Sequence, residues 1–279
     1  MKKANLYFLF FVLASCSNYG QLTLVSDLPS SLKEVSGNEI IYNSELIWML
    51  NDSGNKAEVF GVNQDGKIKS IIKIKAKNHD WEDLTSDEKG NLYIGDFGNN
   101  NLKRKKLRIL KIKNQELLTL DEVEVKKINF EYPEVENKKN TSYDAEAFFY
   151  HQNYFYIFTK SRKKKNLGKT RLYKVPNKKG KHIAEFISEY EFCNSVDCRI
   201  TSADISKNGK KVVLLNHSSV FIFTNFKNDN FFSGEIKETQ LEHTSQKEGI
   251  CFKEENTFYI TDERVKKQGG NLYRLKIKS

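Results

Sequence analysis

At 279 residues, the chain is long enough for one large all-β domain or two small ones. Three prolines and many short runs of Val, Ile, Leu, Phe and Tyr favour strands over helices. The formal charge of +10 suits anionic ligands or lipid headgroups. The aromatics sit inside apolar runs as core residues, so nucleic-acid binding is not expected.

Residues 1–15 read as a processing segment: Lys2 and Lys3 precede an apolar stretch at 6–13, and Leu13-Ala14-Ser15-Cys16 closes it. That ending resembles the bacterial lipobox, which implies a lipidated Cys16 and a tether over 16–20; an ordinary secretory signal is the alternative. Ser17 after the cysteine implies sorting to the outer membrane, with the face undecided. The apolar stretch is too short to span a bilayer, so residues 21–279 are expected to form one anchored domain in the cell envelope.

Five units then follow, each an acid opening a hairpin. They start at Glu34, Glu82, Glu146, Asp204 and Glu248, and their return strands end near Asp52, Asp96, Lys160, His217 and Asp262. In the second unit, Glu82 and Asp96 lie fourteen positions apart around a turn, which sets them roughly opposite each other. A third apolar strand follows each hairpin, at 58–62, 107–112, 171–175, 220–224 and 271–277. A fourth precedes the next acid, at 69–74, 123–130, 183–192 and 236–241. The last unit lacks its fourth strand, and residues 21–28 are placed to supply it. The pattern predicts an all-β, five-bladed β-propeller of four strands per blade, closed by an N-terminal strand, with six blades as the alternative. Closure removes the edges that an open array would expose. A sandwich would explain the strands but not the acids in register.

In a propeller the first strand of each blade lines the central channel, so Glu34, Glu82, Glu146, Asp204 and Glu248 are expected to converge at one mouth. Carboxylates gathered there repel one another unless a cation offsets them. An oxygen-only set suits calcium better than zinc, with Ser36 or a backbone carbonyl completing the shell. The bland alternative ties each acid to neighbouring backbone amides and binds no metal. A second ring comes from the return strands: Asp52, Asp96, Asn99, Lys160, His217 and Asp262. With the basic runs at 103–108 and 162–165, it could hold a phosphate ester, Lys160 as a phosphate ligand and His217 as proton donor. Outside the cytoplasm disulfides persist, and Cys193 and Cys198 bracket a loop that one bridge could close. Cys251, in an apolar strand, reads as a buried free thiol.

The motifs EVSG, NDSG, DWEDL, GDFGN, DAEAFF, TKS, TSADIS and EGI resemble secreted bacterial propellers described as SdiA-regulated-like or esterase-like phytase-like proteins. That resemblance implies six blades. A weaker likeness is to the five-bladed calcium-activated nucleotidases, and it implies Glu34, Ser36, Glu82, Glu146 and Glu248 as calcium ligands. The leading expectation is an outer-membrane lipoprotein with a calcium-occupied mouth that binds an anionic, phosphorylated ligand, as a calcium-dependent phosphoesterase if it turns the ligand over. The competing one is a non-catalytic scaffold or module that binds an envelope protein or glycan.

Overall fold

The computed structural model describes residues 18–42, 44–133, 143–162 and 165–278. The leader, Cys16 and part of the second basic run lie outside them. Five separate sheets form the domain, as the repeat count predicts. The first blade comprises Val35–Glu39, Ile47–Asn51, Glu58–Val62 and Ile68–Ile74; the second, Trp81–Ser86, Leu92–Asp96, Leu107–Ile112 and Lys126–Glu131. The third runs through Tyr143–His151, Tyr154–Ser161, Lys169–Pro176 and Glu185–Glu191. The fourth has Ser202–Ile205, Val212–Leu215, Ser219–Thr224 and Glu235–Gln240. The fifth has Lys247–Glu254, Thr257–Asp262 and Asn271–Lys276, and Thr23–Asp27 closes the ring by pairing antiparallel with Asn271–Lys276.

Period-two alternation explains why the blades stack. Successive side chains on a strand point to opposite faces, so each blade feeds two cores. Tyr93 packs toward the third blade with Phe148 and Tyr173, while Ile94 packs toward the first with Trp48 and Ile72. Phe149 joins Val212 and Phe221 of the fourth blade, and Tyr259 joins Met49 and Phe60 of the first. Val213, Ile250 and Tyr273 fill the space between the last two blades.

Two short parallel additions were not expected. Glu122–Val123 pairs with the outer strand of the first blade, and Gly180–Ile183 with that of the second. Both segments leave their own blade before returning to it, and so tie neighbours together at the rim. Among the described residues one short α-helix, Asn114–Thr119, and three single-turn 3-10 helices interrupt the strands, and no helix is long and apolar enough to cross a membrane. Cys193 and Cys198 form a disulfide with Cα atoms 5.8 Å apart, and Cys251 is a buried free thiol.

Candidate metal centre at the channel mouth

Four of the five channel-lining strands carry a register shift. It falls between Val35 and Gly37, Trp81 and Leu84, Ala145 and Ala147, and Lys247 and Gly249. A β-bulge adds a residue to one strand and re-aims its side chain. The residues inserted here are Ser36, Glu82 with Asp83, Glu146 and Glu248. The shift also corrects the expected pairing of Glu82 with Asp96, which lies opposite Trp81 instead; in the third blade Lys160 lies opposite Asp144.

The five acids therefore do not form one ring. The channel strand of the fourth blade pairs without a shift, and its Asp204 lies two steps past Ser202, at the far end of the channel beside Glu39. At mouth level that blade offers Thr201, whose hydroxyl donates to the Lys247 carbonyl at 2.7 Å. Glu34 precedes the bulge and stays on the rim, 3.2 Å from the Lys33 ammonium and accepting from Asn55 at 2.6 Å. Those contacts hold its carboxyl below the usual range.

Most of the remaining mouth acids have counterions in the chain. Asp96, fully buried, accepts from Arg104 at 2.8 Å and lies 2.9 Å from Arg108, an ion pair without hydrogen-bond alignment. Arg104 also donates to the Gly98 carbonyl at 2.6 Å, so the arginines of the first basic run turn inward. Asp144 accepts from Arg162 at 2.6 Å and from the Asn99 amide at 2.6 Å. Glu146 pairs with Lys160 and, at 3.0 Å, with Arg162. Glu248 lies 3.2 Å from His217 and within reach of the Lys160 charge, which together hold its carboxyl low against burial. Lys160 is thus a buried internal cation among Glu146, Glu248 and Glu82, rather than a side chain presented to a ligand. Asp262 is buried too, accepting from the Tyr273 hydroxyl at 2.9 Å and the Asn271 amide at 2.8 Å. Asn99 shapes the loop by accepting from the Arg104 amide at 2.8 Å.

At the mouth, Asp52, Asp80 and Glu82 form a cluster in which no member has an ion pair among the described residues. Their carboxylates offer oxygens within 4.8 Å of one another, and Glu82 stands at the same spacing from Asp144 and Glu146. Burial pushes the Glu82 carboxyl well up, and the charges of Glu146, Asp52, Asp144 and Asp80 add to it. Asp52 is pushed up to about 6 and Asp80 is raised, burial being the main cause for both. Glu263 beside them is pushed up to about 8 by burial and by the charges of Glu248 and Asp52.

A divalent cation fits this geometry on two counts. Glu82 Oε1 is buried with no hydrogen-bond partner, a costly state for a carboxylate unless something absent from the protein satisfies it. Gly98 leaves the room that this carboxylate occupies: a Cβ there would lie 1.7 Å from Glu82 Oε1 and 2.7 Å from Asp80 Cγ. Asn78 braces the cluster, donating to the Asp52 carbonyl at 2.9 Å and accepting from the Trp81 amide at 3.1 Å. Carboxylates without nitrogen or sulfur donors favour calcium or magnesium over zinc.

Sequence reasoning did not single out Asp80, Asp144, Gly98 or Asp83. Asp83 is fully buried on the axis below Glu82 and accepts from Leu84 N at 2.9 Å and Ser202 Oγ at 3.0 Å. The adjacent acids in DWED were the available signal, since strict alternation would have sent one of them into an apolar core.

No protein-family model matches the chain, and neither does any curated protein sequence. Among solved structures, a gluconolactonase from Xanthomonas campestris aligns over 92% of this chain and 89% of its own, at 9% identity and a TM-score of 0.52. A virginiamycin B lyase from Staphylococcus aureus aligns over 90% and 69%, at 14% identity and a TM-score of 0.44. A streptogramin B lyase aligns over 94% and 90%, at 10% identity and a TM-score of 0.47. At such identities the first likeness bears on the fold alone, and the TM-scores of the two lyases support no further comparison.

Proposed function

We propose that this protein is a lipid-anchored envelope propeller that holds calcium between Asp52, Asp80 and Glu82 and uses it to bind an anionic, phosphorylated ligand. The observation that carries this reading is the cluster of three carboxylates without counterions, with the Glu82 oxygen unpartnered at its centre. The motif resemblance to phytase-like propellers favours a phosphorylated ligand over other anions.

Charge decides the position within the mouth. Lys160 and Arg162 offset Glu146 and Asp144, so the uncompensated negative charge falls on the Asp52 side. A bound cation supplies a positive centre that polarises a phosphoryl oxygen. Lys103, Lys105 and Lys106 remain exposed on the loop whose arginines turn inward, and they add to the field an anion meets. Glu248 orients the His217 imidazole at 3.2 Å, which suits it to move a proton.

The test is phosphate release and ligand binding with a panel of phosphate esters, in calcium and in chelator, for the chain from residue 18 and its Glu82→Gln variant. Calcium-stimulated release abolished by Glu82→Gln establishes a phosphoesterase; calcium-dependent binding without release establishes a binding module. Calcium-independent behaviour of both proteins overturns the reading. For the anchor, Cys16→Ala is expected to move the full chain from the membrane fraction to the soluble one.

A further inference from the structure

The channel has a second end. Below the mouth the axis is plugged: Asp83 accepts from Ser202, Ser202 accepts from the Ile250 amide at 3.0 Å, and Asn38 donates to Thr261 at 3.3 Å. Beyond this plug lies a cavity of about 440 Å³, to which the downstream ends of all five channel strands contribute through Glu39, Ser86, Tyr150, Asp204 and Phe252.

The floor of the cavity is acidic and short of counterions. Asp204 spends both oxygens on backbone amides, from Ile205 at 2.7 Å and Phe252 at 2.8 Å. Glu39, only 7% exposed, accepts from Ser86 Oγ at 2.8 Å through Oε1. Its other oxygen has no hydrogen-bond partner, and neither acid forms an ion pair, among the described residues. The basic groups of the lining do not repair this. Lys207 is exposed, the Lys253 ammonium lies 5.2 Å over the Tyr259 ring, and burial lowers the His151 pKa, which disfavours its charged form. Glu88 and Glu254 add negative charge at the rim, while Glu255 is offset by Lys211 at 3.1 Å. Ile40, Ile205 and Phe252 make part of the wall apolar.

From this geometry we propose that the far end of the channel is a second ligand site, taking a small organic cation with a primary ammonium on an aromatic or apolar body. The ammonium pairs with the free Glu39 oxygen and the body packs on Phe252 and Tyr150. An anion would meet only carboxylates at the floor. A bare metal ion would find one free oxygen in a space many times its size, whereas calcium takes about 6–8 oxygens. Burial and the Asp204 and Asp83 charges raise the Glu39 carboxyl, while Ser86 and Lys207 oppose them. The ammonium binds the ionised form and so opposes this upward shift.

Isothermal titration of the chain from residue 18 with tyramine, and with 4-ethylphenol as its neutral counterpart, tests this site. Tyramine is expected to bind once per chain at sub-millimolar concentration, and 4-ethylphenol at least tenfold more weakly. Glu39→Gln should weaken tyramine at least tenfold, and saturating calcium should leave its affinity unchanged, because the plug separates the two ends. Absent tyramine binding, equal affinity for the two compounds, wild-type affinity in a folded Glu39→Gln, or displacement by calcium overturns the proposal. The comparison of the two compounds needs no variant, so it stands even where Glu39→Gln does not fold.

Discussion

Gly98 is the most discriminating position at the mouth, because its role is to be empty space. It is not among the glycines in the left-handed region, so alanine brings no backbone strain. The added Cβ would nonetheless sit 1.7 Å from Glu82 Oε1, and restoring an ordinary contact of about 3.5 Å moves the carboxylate by about 2 Å. Overpacking of this kind costs about 1–3 kcal/mol. In a domain of this size that lowers the melting temperature by roughly 2–10 °C. The effect on the cation should be larger than the effect on the fold. Perturbing a supporting group costs about 10–100-fold in metal affinity, and displacing a ligand belongs at or above the upper end. Calorimetric titration of Gly98→Ala with calcium should therefore show affinity down by about 100-fold, in a protein whose far-ultraviolet spectrum is unchanged. Wild-type calcium affinity in Gly98→Ala would refute the assignment of Glu82 as a ligand.

The raised acids make stability depend on pH in a direction opposite to the usual carboxylate case. Asp52, Glu146 and Glu263, at about 6, 7 and 8 in the folded protein, hold protons that the unfolded chain has already lost. Stability therefore falls as pH rises from near 4 through these values. Metal-free protein should melt higher at pH 5 than at pH 8, and calcium should raise the pH 8 melt more than the pH 5 one; the reverse order by scanning calorimetry would contradict this. Lys160→Met removes the internal cation and leaves Glu146 and Glu248 facing each other. It should destabilise the metal-free protein by about 3–5 kcal/mol in denaturant titrations, part of it recovered in calcium. An unchanged midpoint would show that Lys160 does not balance these acids. Reducing the Cys193–Cys198 bridge, which closes a short loop, should cost about 2 kcal/mol at most and leave calcium binding intact.

The strands, their order and the closing N-terminal segment were legible because burial on alternate faces writes itself into the residue pattern. The disulfide was legible from the close spacing of the two cysteines. The bulges were not, since a period-two reading assumes an unbroken ladder, and the expected placing of Glu82 opposite Asp96 failed for that reason. Asp204 was aligned by its charge, whereas its position is set by the unshifted ladder of the fourth blade, which carries it to the other end of the channel. Asp80 lies just outside the strand that the acid was expected to begin, and only the return of the GDFGN loop over Glu82 brings the two together. Glu122–Val123 and Gly180–Ile183 were hidden because each pairs with a different blade, a choice that local sequence does not encode.

The most direct measurement is calcium content and melting temperature of the chain from residue 18, before and after chelation. One calcium per chain is expected. Refilling at a hundredfold excess over the dissociation constant is worth about 2.7 kcal/mol, which restores roughly 5–10 °C of melting temperature. A protein that carries no calcium and melts at the same temperature in calcium and in chelator would leave Asp52, Asp80 and Glu82 without the ion assigned to them.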